Sequence, residues 1–534
     1  MTVTFSSTVS LDPVEIEIAR NRLESISEEV GMTLIRTSYS PNIKDRRDCS
    51  AGVYGPTGEL ISQAEHIPLH LGLMPTLIGR AIAEYGADRL RAGDVLMTNN
   101  PYLGGSHLPD ICVITPVFFD SELVALVANM AHHVDVGGMT PSSMATHSTE
   151  IFQEGIRIPP LRLMAEGNQQ DEVLSIVLMN IRTADKTRGD LMAQVAANRL
   201  GERRIHELLS EWGPDGFKTS CRALLEYTDR RTRAAIAELP DGKGKFTDSL
   251  EHNGVAPDDI RIVADVSVEG DELFVDLSET DDQALGAVNC SFAVAEACVA
   301  YVVKVLADPA LPSNGGLMSP ITVRTRPGSL VSAEFPAPVA NGNTQTAQRI
   351  VDALFGAFHS FAPGHAPAAS SGSMSILTMG GQDHRTGKYF SYIETYGGGQ
   401  GAMSDFDGAS AIHTHMTNTR NTPCEVIERE YPLLVDEYAV ARGTGGRGDF
   451  SGGDGLRRTV TLTGGAATVV AATSRVAEGP WGLEGGAPGS PARICRTLSG
   501  KTKSLEAMSM FEVSSGESVT IQTAGGGGYG SSNR

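Results

Sequence analysis

The segment NNPYLGGSHLPDICVITP holds the residues best suited to chemistry: His107 and Asp110, three apart, with His132 following 25 residues after His107 in ANMAHHVDVGG. Two imidazoles and a carboxylate form a usable set of metal ligands. A His-x-x-Asp pair converges on one point from a helical turn or a bend, and a histidine ending a buried strand supplies a third ligand from a rigid base. Gly104 and Gly105 let the backbone approach closely, and Asn99 with Pro101 shapes the preceding turn. His133 and Asp135 can be further ligands or partners that receive the outer N–H of a ligating imidazole, and spacing does not rank them.

Other polar residues flank this set. KDRRDCSAGVY places Asp45 and Asp48 before a hairpin, with Asp48 a candidate fourth ligand or a bridge between two ions, against the alternative of a turn or capping residue. His66 and His70, in HIPLHLG, read as buried, satisfied histidines rather than ligands. EIFQEGIRIPP offers Glu154 and Arg157 as an acid-base or phosphate-orienting pair, or else as a surface ion pair. Glu154 and Asp135 are thus the candidate catalytic carboxylates. The glycines of ETYGGGQGA could cradle a phosphate, yet no GxxxxGK[ST] phosphate loop occurs in the sequence. HTHMTNTRNTP (413–423), with His413 and His415, is dense in hydrogen-bonding groups and is expected as a structured loop near the active site or a subunit contact.

The elements that must position these groups are legible in outline. Asp12 and Pro13 cap and open an apolar-periodic run, VEIEIARNRLESISEEVGMTLIRTS, which predicts a helix. CSAGVYGPTGELISQ reads as a hairpin, and LGLMPTLIGRAIAEYG returns to helical spacing. ICVITPVFF and LVALVANMAHHVDV, joined by Asp-Ser-Glu, predict two buried strands and a turn. Helical periodicity over 190–239 breaks near Gly213-Pro214. A hairpin turning at Glu269-Gly270 follows, and helices recur at 292–306 and 346–358. Glycine clusters thicken toward the end, interleaved with strand-like runs at 459–462 and 467–473, which predicts a compact, turn-rich β region. No fixed repeat is present. The expectation is an α+β fold: a mixed metal-site domain over 1–240, an α+β middle domain over 241–425, and a Gly-rich, strand-rich region over 426–534.

Bulk composition excludes several classes. At 534 residues and 41% hydrophobic, the chain can bury a large core. A formal charge of -21 without a basic patch opposes nucleic-acid binding. No run nears the roughly 18 apolar residues that span a bilayer, and MTVTFSSTVSLDPVEIEIAR lacks a basic region followed by an apolar one, so neither membrane insertion nor secretion is expected. Seven scattered cysteines without a CxxC pair suit small buried apolar residues in a reducing cytoplasm.

NNPYLGGSHLPD, AHHVDVGG, EIFQEGIRIPP, DLMAQVAANRLGERR, GASAIHTHMTNTRNTPCEV and AGGGGYG, in this order, resemble the signature blocks of the hydantoinase B family. The resemblance runs from about Asp12 to Gly530. It implies a subunit that holds a divalent metal (Zn, Mn, Fe or Co) at His107, Asp110 and His132, with Asp48 as an addition. It also implies a separate hydantoinase A type partner that binds ATP-Mg and phosphorylates the carbonyl oxygen of a small cyclic amide (a hydantoin, a lactam or 5-oxoproline). Water activated by the metal then attacks the resulting imidate-like carbon. A hetero-oligomeric, cytoplasmic hydrolase is the reading this supports. A ketone carboxylase subunit from the same family is the first alternative, and a scaffold with a structural metal is the second.

Overall fold

The computed structural model describes residues 11–64 and 66–531. Half of the stretch read above for a leader, residues 1–10, lies outside them.

The chain begins as its capping residues require. Asp12 accepts hydrogen bonds from the backbone N–H groups of Val14 and Glu15, while the Glu15 carboxylate accepts one from the Asp12 N–H, and Pro13 opens helix α1 (Pro13–Thr37). A short helix α2 (Pro41–Lys44) leads into strands β1 (Cys49–Tyr54) and β2 (Leu60–Gln63), then helix α3 (Pro68–Tyr85). Strands β3 (Val95–Thr98), β4 (Asp110–Phe119), β5 (Glu122–His132), β6 (Leu161–Ala165) and β7 (Asn168–Gln169) complete an antiparallel sheet in the order β2-β1-β5-β4-β3-β6-β7. Helices α4 (Asp171–Met179) and α5 (Ala184–Ile236) follow, and α5 departs from helical geometry at Gly213, as Gly213-Pro214 predicts.

Both faces of this sheet are covered, which is why β4 and β5 read as near-continuous apolar runs. Along β5, Leu126, Ala128 and Met130 join the core shared with α3, whereas Ala125, Val127 and Ala131 join the one shared with α1 and α5. The first core continues into a second sheet, β11 (Ile321–Arg324), β10 (Glu272–Asp276), β9 (Pro257–Glu269) and β8 (Gly242–His252), and into helices α6 (Phe292–Leu306) and α7 (Ala347–Phe361). Helices α3 and α6 cross so closely that a Cβ on Gly72 would lie 2.2 Å from the Cα of Ala297.

The last part of the chain carries two more antiparallel sheets. One orders β13 (Tyr389–Thr395), β12 (Ile376–Gln382), β16 (Ala466–Ala472) and β19 (Met508–Ser514), so strands before residue 425 pair with strands after it. The other orders β14 (Leu433–Ala441), β15 (Gly455–Leu462), β20 (Ser518–Gln522), β17 (Arg493–Leu498) and β18 (Lys501–Leu505). The glycine clusters are packed backbone rather than linker: a Cβ on Gly526 would lie 1.9 Å from the carbonyl oxygen of Gln400. The fold is α+β. No helix among the described residues is long and apolar enough to cross a membrane, and the seven cysteines are free, five of them buried.

Candidate metal centre

Strand register assembles the site. The β4–β5 pairing sets Asp110 directly opposite His132, and the β1–β5 pairing brings Asp48 alongside, so that the His132 N–H donates to the Asp48 carbonyl at 3.0 Å. His107 sits in the turn just before β4, where the Asp110 N–H reaches back to its carbonyl at 3.2 Å. The side chains of His107, Asp110 and His132 are buried, and each offers one ligand atom within 4.8 Å of the others. They line a cavity of about 30 Å³, room for an ion and its water. Asp48, Arg46, His70, Asn343, Thr344 and Thr417 stand in its walls.

Protonation states are set by burial and charge. Burial alone would raise the Asp110 carboxyl, but His107 and His70 outweigh it and hold it well below the usual carboxylate range. His107 Nε2 lies 3.3 Å from Asp110 Oδ2 and His70 Nε2 lies 3.6 Å from it. Burial opposes a charge on His107 as well, yet Asp110 carries the net shift upward. His132, also buried, is pushed down to about 4 by burial and stays neutral, the form that ligates.

The donor set fits a divalent cation on structural grounds. Oδ1 of Asp110 is buried with no hydrogen-bond partner, an arrangement that native interiors rarely tolerate. The Ser106 hydroxyl donates to Oδ2 of the same carboxylate. His107 donates Nδ1–H to the Ala340 carbonyl at 3.0 Å, which fixes the tautomer and leaves the Nε2 lone pair toward Asp110. Asn42 donates its amide to the His132 carbonyl at 2.6 Å, and Arg46, itself bonded to Asn42, Thr395 and the Ile393 carbonyl, steadies it.

The remaining residues singled out from the sequence fall elsewhere. His133 points away from the cluster and donates Nε2–H to Gln194 of α5 at 2.9 Å. Asp135 is saturated: it accepts from the backbone of Gly137, Ser142 and Arg182 and from the Arg182 guanidinium at 3.0 Å, and it does not line the cavity. Glu154 lies behind His107. Its carboxylate accepts from the Val339 and Ala340 N–H groups and from Ser148, so it braces the Ala340 carbonyl that orients His107. Burial pushes Glu154 up to about 7 against these bonds. Neither carboxylate lines the cavity. Arg157 makes no pair with Glu154 and stacks over Phe335 at 4.5 Å.

His70 is buried and satisfied, as read from the sequence: it bonds Ser50 at 3.0 Å and faces Asp110. The sequence offers no notice of Asn42, Ala340 or Asn343, none of which belongs to a motif that names a ligand. The 413–423 loop does reach the cavity, through Met416, Thr417 and Thr419, whereas His415 turns to Asp352 at 3.1 Å.

One prediction arises here. Glu154→Gln turns an amide N–H toward backbone donors and loosens the Ala340 carbonyl, so metal affinity should fall about 10- to 100-fold, the usual cost of losing an outer partner. Chelator competition measures it, and an unchanged affinity would disprove the bracing role.

Comparison with known proteins finds relatives over nearly the whole chain. The hydantoinase B/oxoprolinase family profile matches residues 12–532. A Methanocaldococcus jannaschii protein is 35% identical over 98% of this chain and 91% of its own length. A putative D-/L-hydantoinase component from a Pseudomonas species is 31% identical over 97% and 90%. Arabidopsis thaliana 5-oxoprolinase 1 is 34% identical over 97% of this chain, which spans only 42% of that protein. Among solved structures, the ATP-dependent caprolactamase from Pseudomonas jessenii superposes with a TM-score of 0.89 at 28% identity, covering 98% of this chain and 92% of the other. Acetone carboxylase, at 17% identity and a TM-score of 0.88, covers 97% and 76% and shares the fold. With its profile matched nearly end to end, this chain belongs to the hydantoinase B/oxoprolinase family.

Proposed function

We propose that this chain is the metal-holding subunit of an ATP-dependent cyclic amidohydrolase that acts with a hydantoinase A type partner. The observation that carries the reading is the buried convergence of His107, Asp110 and His132, in a chain similar over nearly its whole length to an ATP-dependent caprolactamase. Three protein ligands leave a coordination position free, which suits catalysis better than a closed structural site. Asp48, at the cavity wall, is the candidate fourth ligand. A divalent ion held there would supply a water of lowered pKa at neutral pH.

The chain's own residues do the rest. His107, Asp110 and His132 would hold the ion from one end of a rigid sheet, and Ala340, Glu154 and Asn42 keep these side chains in place. The small, threonine-lined cavity limits competing water around an activated carbonyl carbon. An unstrained amide resists attack through resonance, and phosphorylation of its oxygen by the partner removes that resonance and provides a leaving group. Transfer of such an intermediate requires an enclosed path, and hence a stable complex of the two subunits.

The sequence holds no GxxxxGK[ST] loop, so the purified chain with ATP, a divalent metal and a panel of hydantoins and lactams should release neither ADP nor ring-opened acid. Adding the hydantoinase A type partner should start both. Product from the chain alone defeats the division of labour, and bicarbonate-dependent carboxylation of a ketone by the complex would assign it to the carboxylases instead.

A further inference from the structure

Every buried side-chain amide atom without a hydrogen-bond partner, among the described residues, falls within one eight-residue stretch, Asn341 to Gln348. Both amide atoms of Asn341, both of Gln345, and one oxygen each of Asn343 and Gln348 are unpaired. Native interiors pair such groups, because an orphaned buried amide atom costs about 1–3 kcal/mol. The stretch opens with a π-helical turn over Gly342–Thr346 that runs directly into α7, and π turns of this kind concentrate at functional sites. Asn343 and Thr344 line the metal cavity.

Asn343 is the member that reaches the chemistry. Its Nδ2 lies 3.3 Å from His107 Nε2. In the neutral ring, the form that ligates, His107 donates from Nδ1 to Ala340, so Nε2 is an acceptor and Asn343 donates to it. A cation that takes the Nε2 lone pair releases this N–H. Asn343 then presents one free donor and one free acceptor, side by side, next to the ion.

A small cyclic amide has the complementary edge. Ring closure forces its amide to be cis, so C=O and N–H point the same way, and a primary carboxamide can pair with both at once. Only such an edge, not a whole ring, fits in a cavity of about 30 Å³. We infer that the Asn343 carboxamide, freed from His107, recognises the cis-amide edge of the ring and holds its carbonyl beside the metal. The unpaired amides of Asn341 and Gln345 lie in the same stretch, within two residues of Asn343. The same side chain can donate to the ring nitrogen once the carbonyl oxygen is phosphorylated. This inference rests on the proposed amidohydrolase reading and names how its substrate class is distinguished from a ketone.

Binding tests it without turnover. The full chain, loaded with Zn²⁺, is titrated by ligand-observed NMR with three rings of equal size: 2-pyrrolidinone, N-methyl-2-pyrrolidinone and cyclopentanone. The lactam should bind about tenfold or more tightly than the other two, which lack the N–H and leave the Asn343 oxygen unpaired. In Asn343→Leu, close in shape and without polar atoms, that preference should collapse while the metal content holds. Equal affinities in the unmodified chain, no binding of 2-pyrrolidinone, or a preference that survives Asn343→Leu each overturn the inference. The ring series needs no variant to fold. A clear lactam preference without ATP-dependent ring opening beside the partner would instead sink the amidohydrolase reading alone.

Discussion

His107→Ala, Asp110→Ala and His132→Ala should each reduce product formation by more than about a hundredfold, beyond the usual cost of losing an outer partner, and each should lower metal content. The reasoning is geometric. The three ligands converge from two paired strands and one turn, so removal of any one leaves two fixed contacts, too few to hold the ion or orient its water. ATP binding by the partner should persist, because the proposed division of labour puts the nucleotide on another polypeptide. His133→Ala is the internal control: its ring bonds Gln194 rather than the cluster, so metal content should be unchanged. Elemental analysis paired with turnover decides the matter. A folded, metal-free His107→Ala protein with full activity would remove the metal from the mechanism.

The second large effect concerns stability. Asp248 on β8 is almost fully buried and accepts from the Arg349 guanidinium at 3.0 Å, from both terminal nitrogens of Arg475 at 3.1 and 2.7 Å, and from Trp481 Nε1 at 3.0 Å. Arg475 also bonds Asp352, which in turn receives His415. These residues tie the second sheet, α7 and the Gly-rich region into one knot. Asp248→Ala should cost about 3–5 kcal/mol, because it leaves two buried guanidinium groups underpaired, Arg475 with Asp352 at 3.0 Å and Arg349 with the more distant Glu251 at 3.5 Å. A thermal melting midpoint equal to that of the unmodified chain would contradict this. Burial would raise the Asp248 carboxyl, but Arg475 and Arg349 hold it well below the usual range. A depressed carboxyl contributes fully above its unfolded pKa, near about 4, and loses that contribution only as pH falls through the folded value. The deficit of Asp248→Ala should therefore be constant across neutral pH and shrink only in strong acid.

What the sequence by itself determined is local. The Asp12 cap and Pro13 start of α1, the break at Gly213-Pro214, the β4–β5 pair and the two-faced burial of β5 all follow from residues a few positions apart, whose periodicity and turn chemistry act before the chain is compact. The convergence of His107, Asp110 and His132 was legible for the same reason, since they lie on one hairpin and its approach. What only the tertiary structure decided is long-range. The acceptor that orients His107 comes from Ala340, 233 residues away, and the brace of that acceptor joins Glu154 to Val339 and Ala340 across a similar span. His70 meets Asp110 only because α3 packs against the first sheet, and β12 finds β16 across a gap that no periodicity encodes. A glutamate that supports a backbone carbonyl and one that transfers a proton are the same letter. They differ only in which atoms close around them when distant segments pack, and that choice is made by burial and shape rather than by local propensity.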